Sequence, residues 1–243
     1  SYSTLIGSDA TAAEDVVAIV YDEGEIVFGE GGEGIIGSDT LSRTLRDLRF
    51  DEAGKAVVLR INSPGGGASA SEVIADAVRR LQADKPVVVS MGDIAASGGY
   101  MIAAEGSRIY ASANTITGSI GVFGLLLNFQ SIANRNGITW DVLKTARFAD
   151  IDTVARPQNP EELALQQNVV NELYDRFVTL VAEARNLPKA NVETVAQGRV
   201  WSGQAAQTQG LVDEIGGLKA AIDHAAEQAE LESWSVEEYP QPL

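Results

Sequence analysis

The chain contains no cysteine and a single histidine among its 243 residues. Without cysteine there is no disulfide, no thiolate nucleophile and no Cys-ligated metal. The same absence fits an oxidising compartment. Basic residues are scarce: 18 Lys and Arg stand against 34 Asp and Glu, a net charge of -16. Nucleic acid and anionic lipid surfaces both select basic patches, so neither is expected as a partner. No window approaches the roughly 20 continuous apolar residues of a membrane span. The opening stretch SYSTLIGSDATAAEDVV lacks the basic and apolar regions of a signal peptide. It also lacks an initiator Met, so the sequence is expected to be a processed or excised piece of a longer one. Residues 1–14 are expected to be flexible. No metal or other cofactor is expected.

What is present is ordinary for a globular protein: 45% hydrophobic and 21% charged residues. That length and composition suit one α/β domain with appendages. Asp15–Tyr21, Ala56–Ile61 and Pro86–Ser90 read as short buried strands. A Gly/Glu-rich connection follows the first. Ser38–Phe50 is predicted helical, with Ser38 as cap and Leu41, Leu45 and Leu48 on one face. Ser71–Leu81 is predicted helical with Val73, Ile74, Ala77, Val78 and Leu81 inward. Further strands are predicted at Arg108–Ala111, Ser119–Phe123 and Thr139–Lys144. Glu161–Arg185, Arg199–Leu211 and Leu218–Ala229 read as helical, forming an arm over about 160–230. The alternation is that of stacked β-α units around a largely parallel sheet, in a single domain over 15–243.

Two stretches carry chemistry. Asn62-Ser-Pro-Gly-Gly-Gly67 follows a strand and precedes a helix. It lacks the Lys-Ser/Thr ending of a phosphate loop and the spacing of a dinucleotide fingerprint. Adjacent glycines let backbone N–H groups approach a ligand closely, as an oxyanion hole requires. One β-α unit later, Ser90-Met-Gly-Asp-Ile-Ala-Ala-Ser-Gly-Gly-Tyr100 isolates the hydroxyl of Ser97 among alanines and glycines. If Ser97 opens a helix, Gly98 N–H lies beside its Oγ and Gly66 N–H can supply a second donor. Ser97 is equally suited to be a nucleophile or a plain helix N-cap.

A serine nucleophile needs a proton acceptor. His224 lies in AAIDHAAEQAE, which reads as a surface helix, so a Ser-His-Asp triad is not indicated. A desolvated lysine is the other route. Of the five lysines, Lys55, Lys85, Lys189 and Lys219 sit at strand starts or in the C-terminal arm. Lys144 is the internal candidate.

NSPGG, SMGDIAASGGY and TGSIGVFG together resemble the signal peptide peptidase SppA (protease IV) family. These are serine–lysine peptidases of the ClpP/crotonase-like fold. The resemblance runs from VVAIVYDEGEI to GLVDEIGGL and AEQAEL. It implies Ser97 as nucleophile, Gly66 and Gly98 as oxyanion donors, and Ser119 as the serine that orients the lysine. Gly67 and Ala68, with Ile120, Val122 and Phe123, would border an extended peptide substrate. The short form of the family carries its lysine where this chain has Ala149. The long form is a tandem duplication whose C-terminal half holds the serine and whose N-terminal half holds the lysine. The chain therefore resembles the C-terminal half of a long form. The resemblance further implies a tetrameric, membrane-tethered assembly facing the periplasm of a bacterial inner membrane, which degrades remnant signal peptides and other apolar segments. Two rivals are a crotonase-type acyl-CoA enzyme, with Asp93 as the nearby carboxylate, and a scaffold half needed only for oligomerisation.

Overall fold

A computed structural model describes residues 15–240. The expectation for residues 1–14 falls outside the described part. The described chain divides into two compact units: residues 15–121 with 177–240, and residues 122–176.

The larger unit opens with β1 (Val16–Val27), β2 (Ile35–Gly37), α1 (Ser38–Phe50), β3 (Gly54–Gly66), α2 (Ala68–Gln82), β4 (Val87–Ala96), α3 (Gly98–Ala104), β5 (Arg108–Ala111) and β6 (Ile116–Gly118). The smaller unit holds α4 (Gln130–Arg135) and the first part of α5 (Pro160–Ala184). The larger unit resumes at Phe177 within α5 and continues with α6 (Lys189–Val195), β7 (Val200–Ser202), α7 (Gly203–Thr208), β8 (Glu214–Ile215), α8 (Leu218–Gln228) and β9 (Ser235–Tyr239).

The strands form one sheet in the order β2-β1-β3-β4-β5-β8, with β9 also on β1 and β6 bridging β4 to β7. Every pairing is parallel except β6 with β7. Central parallel strands are covered on both faces, so they read as continuous apolar runs. Val57–Leu59 of β3 and Val87–Val89 of β4 accordingly show no solvent exposure. On one face Leu218, Ala221, Ile222 and Ala225 of α8 pack on Val17, Val58 and Val88. The helices α1 and α2 bury Leu41, Leu45 and Leu48, and Ile74, Val78 and Leu81.

β3 and β4 run well past their predicted ends. β3 continues through Asn62-Ser-Pro-Gly-Gly66 because its far end still pairs with β1, at Glu25–Gly65 and Ile26–Gly66. β4 steps over Gly92 and Asp93: its register with β3 moves from Ile61–Met91 to Ser63–Ala95. Past that bulge it leaves β5 and pairs β6 instead, at Ile94–Ile116 through Ala96–Gly118.

Several expectations are corrected. The Gly/Glu-rich connection is β-strand as far as Val27. Ser38 does not cap α1, since Gly37 holds the cap position; the Ser38 hydroxyl accepts from Gly29 N–H instead. Val73 is exposed on α2, and Ala77 is only half-buried. Residues 119–123 and 139–144 are not strands, because the partner edge of β4 is taken by Ile116–Gly118 and 139–144 has no strand beside it. The span 199–211 begins with β7 rather than helix.

Asp22 is the unanticipated core residue. It sits 2% exposed in β1, and its Oδ2 has no hydrogen-bond partner. Burial pushes its carboxyl up to about 8 from an ordinary 3.8. Between those two values the folded chain holds a proton that the unfolded chain has lost. Stability therefore falls as pH rises through that window, by roughly 1.4 kcal/mol per pH unit at most. Asp22→Asn should remove that slope. Urea denaturation across the window should show the variant gaining on the wild type as pH rises. Parallel curves would contradict the assignment.

Candidate active site

β4 and β6 end side by side, and a serine follows each. Ala96 pairs with Gly118, so Ser97 and Ser119 are the next residues on two adjacent parallel strands. Both have positive φ, 53° and 50°, which is uncommon for residues other than glycine. Backbone held in this way costs about 1–3 kcal/mol and persists only where neighbours fix it. The neighbours are clear. Ser97 N–H donates to Gly118 O at 2.9 Å, and Ser119 N–H to Arg199 O at 2.7 Å. Ser97 O accepts from Met101 N–H and so starts α3.

Ser97 occupies the N-cap position of α3, yet its hydroxyl makes no capping hydrogen bond. It is half-buried at the tip of a strand-turn-helix. The capping role is thus not what Ser97 does here.

The glycine loop of β3 lies directly against this turn. A Cβ on Gly65, which has φ +100°, would stand 2.8 Å from Ser97 Cβ and 2.7 Å from Gly98 N. A Cβ on Gly98 would stand 2.1 Å from Ser71 Oγ. Glycine at 65 lets the two backbones approach so closely, and glycine at 98 leaves room for the Ser71 side chain. Two buried hydroxyls hold the loop. Ser63 Oγ accepts from Gly65 N–H at 3.1 Å, and Ser71 Oγ donates to Gly67 O at 3.0 Å. Gly65, Ser63 and Ser71 were not singled out in the sequence; the runs of small residues around them were the available signal.

Two backbone donors have no partner strand or turn to use. Gly67 N–H donates to Ile26 O, in register with the Ile26–Gly66 pair. By the alternation of a parallel ladder, Gly66 N–H then points away from β1, to the side where β4 lies. Gly98 is the first residue of α3, whose N–H has no intrahelical acceptor. Gly67 has both polar groups committed, to Ile26 and to Ser71, and Ala68 begins α2. Ile120 is fully buried. Val122 and Phe123 begin the second unit, and Phe123 is exposed. Asp93 is exposed on the β4 bulge.

The lysines serve elsewhere. Lys85 Nζ donates to the carbonyls of Leu48 and Asp51 at the end of α1. Lys55 pairs with Asp15, and Lys219 with Asp223. Lys189 opens α6. Lys144 Nζ donates to Asp150 at 2.8 Å, within a cluster where Arg156 also bonds Glu162 at 2.7 Å. Arg156 first and Lys144 second hold the Asp150 carboxyl below its usual range. His224 is not the solvated residue its context suggested. Its Nε2 is buried without a partner, and its ring lies 5.9 Å from that of Tyr110. Its helix packs on the N-terminal halves of the strands, away from the ends that carry Ser97.

The sheet order, the bulged β4 and the serine turn define a ClpP-like α/β fold. A solved structure of a ClpP1 mutant from Listeria monocytogenes superposes with a TM-score of 0.57 at 18% identity, covering 84% of this chain and 94% of that one. The Clp protease family model matches residues 8–117, and that of peptidase family S49 matches residues 79–232. Protease 4 of Salmonella typhi is 42% identical over 92% of this chain and 36% of its own length. The chloroplastic serine protease SPPA of Arabidopsis thaliana is 35% identical over 91% and 33%. The chain belongs to peptidase family S49, and it spans about a third of the length of these curated relatives.

A double-mutant cycle tests the close packing. Gly98→Ala should destabilise by about 1–3 kcal/mol through its contact with Ser71. Gly98→Ala combined with Ser71→Ala should recover more than half of that in urea denaturation. Strict additivity would contradict the contact.

Proposed function

We propose that this chain supplies the nucleophilic half of a serine peptidase whose general base is a lysine from another domain or chain. The observation that carries the reading is the Ser97 turn: strained, uncapped, and pressed against a glycine loop. Ser97 Oγ attacks a peptide carbonyl and gives its proton to the lysine. Gly66 and Gly98 N–H hold the oxyanion that forms. Ser119, next to Ser97 on the neighbouring strand, orients the lysine amine. Water then hydrolyses the acyl-enzyme and regenerates the hydroxyl. The substrate is an apolar peptide such as a signal-peptide remnant, laid in extended form beside the β3 end.

Three points support an external base. By the motif resemblance, Ala149 stands where a self-sufficient relative carries lysine. Lys55, Lys85 and Lys219 are engaged elsewhere in the larger unit, and Lys144 is engaged by Asp150 within the smaller one. The chain spans about a third of its relatives. The assembly is then an oligomer in which an N-terminal half completes each site, tethered at the periplasmic face of the inner membrane. No helix among the described residues is long and apolar enough to cross a membrane.

In the full-length protein, Ser97→Ala should lower kcat for an apolar peptide about 10³-fold or more with the fold intact. Ser119→Ala should lower kcat by less and raise the pH at which activity appears, because a less well held lysine is harder to deprotonate. Full activity of Ser97→Ala would overturn the reading.

A further inference from the structure

One edge of β1 is covered by two strands that do not meet. β9 pairs with it up to Val20–Tyr239, and β2 takes over at Glu25–Ile35. Tyr21–Gly24 have no partner strand on that edge among the described residues. The gap opens into a cavity of about 430 Å³, walled by β1, the 31–37 loop, the first turns of α1 and Pro240.

Asp22 lines this cavity. A buried carboxyl oxygen that makes no hydrogen bond is costly, and native proteins retain one where it has a partner to meet. The other charged residues lining the cavity are Glu23 and Glu33, both exposed and both acidic. Glu23 accepts from Asn62 Nδ2 at 3.2 Å. No lysine or arginine lines the space. The α1 wall adds an acceptor rather than a donor. Thr40 Oγ1 gives its proton to Glu30 Oε2 and already accepts from Gly31 N–H, while Thr44 Oγ1 gives its own proton to Thr40 O and keeps its lone pairs for a ligand. Val20, Ile36 and Leu41 supply apolar wall. A carboxyl at depth, carboxylates at the rim, a hydroxyl acceptor and an apolar flank make a receptor for a cation on a greasy stem. No group of three or more His, Cys, Asp or Glu among the described residues is placed to hold a metal ion.

We propose that this notch binds an organic cation, an ammonium or guanidinium group on an aliphatic stem, with Asp22 as its counter-ion. The site is separate from the Ser97 turn and does not depend on the peptidase reading. On entry the cation displaces the Asp22 proton: the carboxyl O–H breaks, the proton passes to solvent, and an N–H of the ligand takes its place. Such a cation arises from two sources, a free alkylamine or the basic side chain of a peptide laid along the uncovered edge of β1.

Titration calorimetry on this chain distinguishes them. The probes are n-butylammonium, n-butylguanidinium, neutral n-butanol, and a blocked pentapeptide with a central lysine beside its norleucine twin. Both cations should bind and butanol should not. Affinity should rise up to about tenfold per pH unit below the Asp22 pKa, with close to one proton released per cation at neutral pH. Asp22→Asn should weaken binding at least tenfold without lowering the melting temperature. A lysine peptide at least tenfold tighter than butylammonium, with the norleucine twin silent, identifies a peptide ligand; equal affinity identifies a free amine. Amide NMR shifts on cation addition should fall on Tyr21–Gly24 and 31–37, a readout that needs no variant. No binding by either cation, undiminished binding by Asp22→Asn, or shifts confined elsewhere would each overturn the proposal.

Discussion

The contact of Gly65 with the Ser97–Gly98 turn is the constraint on which the site depends. Two strand ends must come within backbone distance of each other, and a single methyl group at Gly65 would hold them apart. Everything upstream serves that approach. β3 runs past its apolar stretch so that β1 can carry its end, and β4 bulges at Gly92–Asp93 so that its end swings onto β6. Buried Ser63 and Ser71 then hold the glycine loop from below. The strain at Ser97 and Ser119 is sustained by ladder bonds to Gly118 and Arg199, outside the turns themselves.

The same geometry explains the division of labour proposed for the site. Nucleophile and oxyanion donors are properties of backbone placement, and one folded domain can supply both. A lysine base must be desolvated to lose its proton near neutral pH, and in the proposed arrangement a second domain supplies it. Within the larger unit, Lys55, Lys85 and Lys219 have carboxylate or carbonyl partners away from the Ser97 turn, and Lys144 of the smaller unit bonds Asp150. On the proposed reading, a base delivered by a second domain would become desolvated on assembly.

The elements that stand on local pattern were readable in the sequence. α1 keeps its predicted bounds, Ser38–Phe50, because three leucines at helical spacing meet the sheet. β5 does likewise. What was not readable depends on pairing partners distant in sequence. Asn62-Ser-Pro-Gly-Gly has the propensities of a turn, and only the ladder with β1 makes it strand. Ser119-Ile-Gly-Val-Phe123 reads as a strand, but β4 pairs three residues earlier, at Ile116–Gly118. Asp22 looked like the residue that ends a strand; the continuation of β1 to Val27 buries it. At the site, motif residues Ser97, Gly66 and Gly98 were visible from their small neighbours. Gly65, Ser63 and Ser71 act through contacts between different β-α units and leave no local mark.

The central claim is that Ser97 is the nucleophile and that its activation comes from outside this chain. Treating the full-length protein and this isolated chain with a fluorophosphonate, then mapping the adduct by peptide mass spectrometry, tests both parts at once. The account expects a single adduct on Ser97 in the full-length protein and labelling slower by orders of magnitude in the isolated chain. An adduct on Ser119 or elsewhere would contradict the assignment of the nucleophile, and equal labelling of the two proteins would contradict the external base.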